Sequence, residues 1–285
     1  MKKSFYKKCA QFFTGSQRDS DKKRNQALTD LILNRWQEAF CKWNAERLQI
    51  SFDEAVNRLT ASWNAFPGGH AGREYKKYCA QSYEAYRVVF DDSSKEAFDA
   101  YKFHAWMHLL RMISYGVPTW QSAHPIMNYF QRGDYVRIID FGCGLAQQSI
   151  SLLEALRQAG ADGELILCDI PTVRFELLQY IAKEFGIRAS FLECSQERPI
   201  PDLPACEVII ATEIFEHLHV PAPYLNAMHT ALCDDGFLVA ELSNHNEEFM
   251  HVTPNLAFLH EELMHWGYDE CRPQALYQKR PKFRP

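Results

Sequence analysis

Apolar positions recur every three or four residues through the first third of the chain, then gather into short runs over the remainder. Leu28, Leu31, Ile32, Trp36, Ala39, Phe40 and Trp43 share one helical face, which predicts a helix over residues 25–48. Ser51-Phe52-Asp53-Glu54 reads as a capping box opening a second helix with Val56, Leu59 and Trp63. Phe66-Pro67-Gly68-Gly69-His70 breaks that helix. Tyr75, Tyr78, Tyr83 and Tyr86 decorate a third, and Ser93, Lys95 and Glu96 cap a fourth that carries Phe98, Tyr101, Trp106, Leu109 and Leu110. Ser114 to Trp120, punctuated by Gly116 and Pro118, is the expected joint between an all-helical part, residues 1–117, and the rest, residues 118–285.

A short helix over Pro125 to Phe130 leads into the second part, where the pattern changes. Val136 to Ile139, Glu164 to Cys168, Ala189 to Glu193, Cys206 to Thr212 and Phe237 to Leu242 are strand-length runs. Helical patterns stand between them: Ile150, Leu153 and Leu156; Phe175 to Phe185, stopped by Gly186; and Pro221 to Leu232. Asp234-Asp235-Gly236 is expected to turn the chain into the fifth strand. Leu256 to Trp266 returns as a helix, and Tyr268 to Cys271 with Ala275 to Gln278 form a closing pair. Strands alternating with helices predict an α/β, doubly wound sheet with a mainly parallel core.

The chemistry centres on Val136-Arg137-Ile138-Ile139-Asp140-Phe141-Gly142-Cys143-Gly144-Leu145-Ala146. A buried strand ends in an acid and a Gly-x-Gly turn, and a helix follows at once. Glycine permits a sharp turn and a close backbone approach to a ligand, and the new helix offers unpaired N–H groups. The next strand also ends in an acid, Asp169, 25 residues after Gly144. An acid at the carboxyl end of a neighbouring parallel strand can accept both ribose hydroxyls of a nucleotide. Gln147 stands where a dinucleotide fold would keep its third glycine, so a pyrophosphate is less well served.

On these residues the chain resembles the class I S-adenosylmethionine-dependent methyltransferases over about residues 118 to 280. Ile139 to Gly144 looks like their first motif and Asp169 like their ribose-binding acid, with Ala146 in place of the motif's last glycine. The resemblance implies a seven-stranded mixed sheet preceded by an all-α N-terminal domain, with S-adenosylmethionine as cofactor and S-adenosylhomocysteine as product. It implies cofactor contacts at Asp140, Phe141, Gly142, Cys143, Gly144, Asp169, Ile170 and Thr212. The loop Glu193-Cys194-Ser195 corresponds to the adenine contact, with Ser195 or Glu193 to receive the exocyclic amine. Trp120, with Tyr115 and His124, lies in the segment that covers cofactor or substrate in such enzymes.

Glu213-Ile214-Phe215-Glu216-His217 follows the fourth strand. A helical turn there would place Glu213, Glu216 and His217 on one side, at the strand ends where open α/β sheets bind ligands. Three roles compete. His217 or a neighbouring acid could take a proton from an acceptor hydroxyl. Glu213, Glu216 and His217 could bind a metal, since Glu-x-x-Glu-His is similar to the ligand set of small-RNA 3′-terminal 2′-O-methyltransferases, with His245 or His251 as the second histidine. The stretch could instead be architectural, as a similar Glu-His is in many small-molecule methyltransferases. The polar loop after the fifth strand adds Asn244, His245 and His251 as substrate contacts. The working assignment is catalytic His217, Glu213 and Glu216, with no metal; a metal held by Glu213, Glu216, His217 and His251 is the alternative.

Composition narrows the partners. The formal net charge of −5 gives no global case for nucleic-acid binding. Nine cysteines without a Cys-x-x-Cys pair point to reduced thiols and a cytoplasmic protein. No apolar run reaches transmembrane length. Residues 1–26 are locally basic and read as a solvated terminus, while the helical third could serve as a lid or a homodimer surface. The segment Val89 to Ser94 is faintly similar to lead-ins of sugar-modifying methyltransferases. The expected activity is therefore O-methylation of a small polar acceptor such as a sugar or glycan precursor. A metal-assisted RNA ribose 2′-O-methyltransferase and a catalytically silent cofactor-binding scaffold are the alternatives.

Overall fold

The computed structural model describes residues 33–65, 86, 89, 91–115, 124–244 and 251–281. Trp120 and His245 lie outside these, as do the basic stretch at residues 1–26 and most of the expected tyrosine helix.

Among the described residues three helices come first: α1 (Arg35–Leu48), α2 (Phe52–Ala65) and α3 (Lys95–Tyr115). Asn34 caps α1 with a full capping box, its side chain accepting from the Trp36 and Gln37 backbones while the Gln37 side chain returns to the Asn34 N–H. Ser51 caps α2 as expected, its Oγ accepting from the Glu54 N–H at 3.1 Å. At α3 the cap is Ser94, whose Oγ accepts from the Ala97 N–H, while Ser93 sits one residue earlier with its N–H on Asp91.

After the short helix α4 (His124–Tyr129) the chain alternates: β1 (Tyr135–Phe141), α5 (Gln147–Gln158), β2 (Asp162–Asp169), α6 (Val173–Glu184), β3 (Ala189–Glu193), β4 (Cys206–Ile210), α7 (Pro221–Ala231) and β5 (Leu232–Val239). It closes with α8 (Ala257–His265), β6 (Tyr268–Arg272) and β7 (Leu276–Lys279). The strands form one sheet in the order β3-β2-β1-β4-β5-β7-β6. The first five are parallel; β7 runs antiparallel to both β5 and β6. The seven-stranded mixed sheet implied by the resemblance is the one observed.

Period-two alternation divides the core between the two faces of this sheet. Val136, Ile138, Leu165, Leu167, Val208, Ile210, Phe237 and Val239 point to one face, under α5 and α6. Ile139, Phe141, Ile166, Cys168, Ile209 and Leu238 point to the other, under α7 and α8. The N-terminal helices join the first face: Trp36, Phe40, Trp43, Leu59, Leu109 and Ile113 belong to the same buried cluster as Leu153, Leu178 and Ile181. Trp36 meets Phe185 edge-on at 5.4 Å, and Arg35 holds Glu154 with two bonds of 2.6 Å.

Two local expectations are corrected. Asp234-Asp235-Gly236 does not turn the chain before β5; the strand already begins at Leu232 and passes through an irregular step, with Asp235 at φ 62°. Residues 213–217 do not form one helical turn: Glu213 is left-handed at φ 55°, and only Phe215–His217 make a short 3-10 turn.

Candidate functional site

At the carboxyl ends of β1 and β2 the backbone folds into a cradle. The Gly142 and Cys143 N–H groups donate to the Cys168 carbonyl at 2.8 and 3.2 Å, which ties the glycine turn to the neighbouring strand. Gly142 and Gly144 take φ values of 70° and 54°, in the left-handed region. A Cβ on Gly142 would lie 2.8 Å from Ile214 Cδ1, so the turn is also closely covered. Ala146 takes φ 50° ahead of α5, whose first turn has no side-chain cap.

Asp169 is fixed from two sides. One carboxylate oxygen accepts from the Gly144 N–H and the other from the Ile170 N–H, both at 2.7 Å. Each oxygen keeps a lone pair for a further donor. Asp140, the other acid expected at the cofactor, is held differently. Its carboxylate is buried and accepts from Ser149 Oγ at 2.5 Å, bracing the start of α5 from beneath. Burial, only partly offset by that hydroxyl, pushes its pKa up to about 7, with the Asp169 charge adding to the rise.

A cleft opens beside Asp169 and Gly142, walled by Ile170, Cys194, Ile214, Leu218 and Tyr224. Between the two adenine-contact candidates, the residue that lines this cleft is Cys194; Glu193 is exposed, and Ser195 Oγ accepts from the Arg198 N–H in its own turn. Phe141 and Cys143 are buried, Phe141 against the Tyr224 ring at 5.8 Å. Thr212 donates to the Gln148 side chain at 3.2 Å. The fourth wall comes from the helical region: Tyr86, Asp92, Phe98 and Tyr101.

Beyond β4 the chain gathers a second cluster. Glu216, His217 and His251 present ligand-type atoms that all lie within 4.8 Å of one another. The two imidazole rings stand 5.0 Å apart at a steep angle, and His217 Nε2 is 4.0 Å from a Glu216 oxygen. Glu216 is completely buried, and neither carboxylate oxygen has a hydrogen-bond partner among the described residues. Desolvation pushes its pKa up to about 8. The structure brings this trio together without Glu213, which is exposed, with left-handed backbone. Asn244 is exposed where the chain leaves β5.

Sequence reasoning did not single out the wall residues Tyr86 and Asp92, because what they touch lies about 130 residues away; Asp92 entered only within the Val89 to Ser94 similarity. Only the tyrosine spacing and the aspartates of residues 91 and 92 were visible.

No model of a known protein family matches the sequence, and no curated protein matches it. Solved structures do resemble the fold. A protein from Listeria monocytogenes assigned to the class I S-adenosylmethionine-dependent methyltransferases is 14% identical, covering 92% of this chain and 90% of its own, with a TM-score of 0.48. An S-adenosylmethionine-dependent methyltransferase from Aquifex aeolicus is 14% identical over 55% of this chain and 87% of its own, at 0.40. The [4+2]-cyclase SpnF is 15% identical over 64% of this chain and 74% of its own, at 0.45.

Proposed function

We propose that the chain is an S-adenosylmethionine-dependent methyltransferase acting on a hydroxyl of a small polar acceptor, such as a sugar or glycan precursor. The observation that carries this reading is Asp169, held by the Gly144 and Ile170 N–H groups beside an open cleft. Its free lone pairs suit the two ribose hydroxyls of a nucleoside. The Gly142–Gly144 turn carries no side chain of its own at the cleft, and Ile170, Cys194 and Leu218 offer apolar surfaces for a base.

When bound, S-adenosylmethionine supplies a methyl group already activated by its sulfonium. The protein's task is then alignment of the acceptor oxygen and exclusion of water. His217 stays partly open while Glu216 and His251 are buried, which supports His217 as the group that takes the hydroxyl proton.

The buried Glu216 carboxylate, which has no side-chain hydrogen bond among the described residues, favours a second reading. A buried carboxylate without donors must either keep its proton or meet a cation. One carboxylate oxygen and two imidazoles form a borderline donor set, suited to zinc, manganese or iron. A divalent ion held by Glu216, His217 and His251 would act as a Lewis acid toward an acceptor oxygen. The negative net charge speaks against RNA as that acceptor, since phosphate contacts dominate RNA affinity.

Calorimetric titration of the full chain with S-adenosylmethionine and S-adenosylhomocysteine, with and without Zn2+ or Mn2+, tests both readings. Binding at about micromolar Kd is the expected result. Absence of cofactor binding under every condition removes the methyltransferase reading and leaves a scaffold in front. Cofactor binding with no heat from either metal, and no effect of EDTA on turnover, removes the metal reading alone.

A further inference from the structure

We propose that Asp92 and Tyr86, contributed by the helical N-terminal region, are positioning residues that set the geometry of the Glu216, His217 and His251 cluster. The inference rests on the reading of that cluster as the reactive site.

The residues after β4 have little structure of their own to hold them. Phe215–His217 make a single 3-10 turn, Leu218 is extended, and α7 begins at Pro221 with Val220 as an N-cap that offers no side-chain oxygen. So short a turn does not fix side-chain directions by itself. The fixing comes from elsewhere. The Asp92 carboxylate accepts from the His219 N–H at 2.8 Å and from the Val220 N–H at 3.0 Å, and its first oxygen also meets His219 Nδ1 at 2.9 Å. It thus pins the two residues that lead into α7, Val220 from a position 128 residues away. The Tyr86 hydroxyl donates to the His217 carbonyl, and its ring packs on the His219 ring at 4.7 Å.

The opposite flank is closed by the segment that carries His251. The Val252 and Thr253 N–H groups donate to the Glu216 carbonyl at 2.9 and 3.1 Å, and Thr253 Oγ1 donates to the Leu218 carbonyl at 2.6 Å. The Val252 side chain then packs against the small cluster that contains Tyr86, Val89, Ala97 and Ala100. Consecutive carbonyls of Glu216, His217 and Leu218, and the N–H groups of His219 and Val220, are therefore all taken by partners outside the turn. His217 sits at the centre of this bracket. Asp92 and Tyr86 also line the cleft, but three donors already converge on Asp92, so its function is to hold the loop.

Imidazole-selective NMR of the metal-free full chain tests this, with the His217 and His251 signals assigned through His217→Gln and His251→Gln. Asp92→Asn and Tyr86→Phe should each shift or broaden both signals. Those of His229 and His260, bonded to Tyr268 and Tyr277 at the other end of the sheet, should hold still. Tyr86→Phe changes no charge, so a response there reports geometry, and it also serves if Asp92→Asn does not fold. Zn2+ affinity should fall by about tenfold or more in both variants wherever the wild type binds the ion, the range seen when outer partners of a ligand are removed. Unmoved His217 and His251 signals in both variants would overturn the proposal. So would a collapse of S-adenosylhomocysteine affinity with those signals in place, because Asp92 would then be a ligand contact. A wild type that binds neither Zn2+ nor S-adenosylhomocysteine defeats the functional reading instead, and leaves the NMR comparison intact.

Discussion

Glu216 is the residue whose environment is most at odds with its chemistry. Its carboxyl carries a folded-state pKa of about 8 against an ordinary value of 4.5, because burial penalises the charged form. Between those two values the unfolded chain has released the proton and the metal-free fold has kept it. The unfolded state therefore binds fewer protons, and stability falls as pH rises through that window. Above pH 8 the accumulated penalty amounts to roughly 5 kcal/mol. Asp140 contributes in the same direction between its ordinary 3.8 and about 7, so the wild-type slope is a sum. Glu216→Gln isolates one part of it. Denaturation in EDTA at pH 4.5 and pH 8.5 should find the variant close to wild type at the lower pH and more stable at the higher. Excess Zn2+ should narrow that gap by stabilising only the wild type, since an ion bound to the native state adds its binding energy to folding. Equal pH slopes in the two proteins would show that Glu216 does not retain its proton.

At the scale of elements, the glycine turn after β1 orders three substitutions by backbone and space. Gly142→Ala meets both a φ of 70° and a Cβ 2.8 Å from Ile214, so it should cost about 1–3 kcal/mol and displace a cleft wall. Gly144→Ala meets strain at φ 54° with only Met112 Cε nearby at 3.5 Å, and should cost about 1 kcal/mol. Ala146→Gly relieves an alanine at φ 50°, but gives up a buried methyl and loosens the unfolded chain; these terms nearly cancel, to within about 1 kcal/mol. Thermal melts would rank the three, and S-adenosylhomocysteine titration should show the largest loss for Gly142→Ala. This turn, both flanking strands and Asp169 were legible because each rests on local pattern: apolar runs, glycine spacing, an acid at a strand end. The stretch after β4 was not. Its helical reading required Glu213 and Glu216 on one face, and the left-handed backbone at Glu213 breaks that face without any glycine to announce it. The union of His251 with Glu216 and His217 depends on a loop returning from β5, whose path the sequence pattern does not give. The Asp92 contact to His219 and Val220 spans too much chain for any local pattern to carry.

At the scale of the whole molecule, the helices before residue 116 are bound into the sheet's own core. The apolar stripe of α1 that the sequence displays at Trp36, Phe40 and Trp43 is covered by α6, α2 and α3, and these side chains lie in one cluster with β1 and β2. Polar ties cross the same boundary: Arg35 to Glu154, Lys42 to Glu184, and Tyr180 to Glu46. A region attached in this way should not melt on its own. Trp36 is 2% exposed and packs edge-on against Phe185. Trp36→Ala should therefore cost about 3–5 kcal/mol, the range for deleting a large buried aromatic. The loss should appear in a single transition that lowers α1 and the sheet together, followed at once by tryptophan fluorescence and by far-ultraviolet circular dichroism. Two separated transitions would show residues 1–117 to be a domain of their own. A single one would mean that damage at α1 reaches the β4 loop through the same framework that carries Asp92, so the variant's S-adenosylhomocysteine affinity should decline in parallel with its stability as temperature rises.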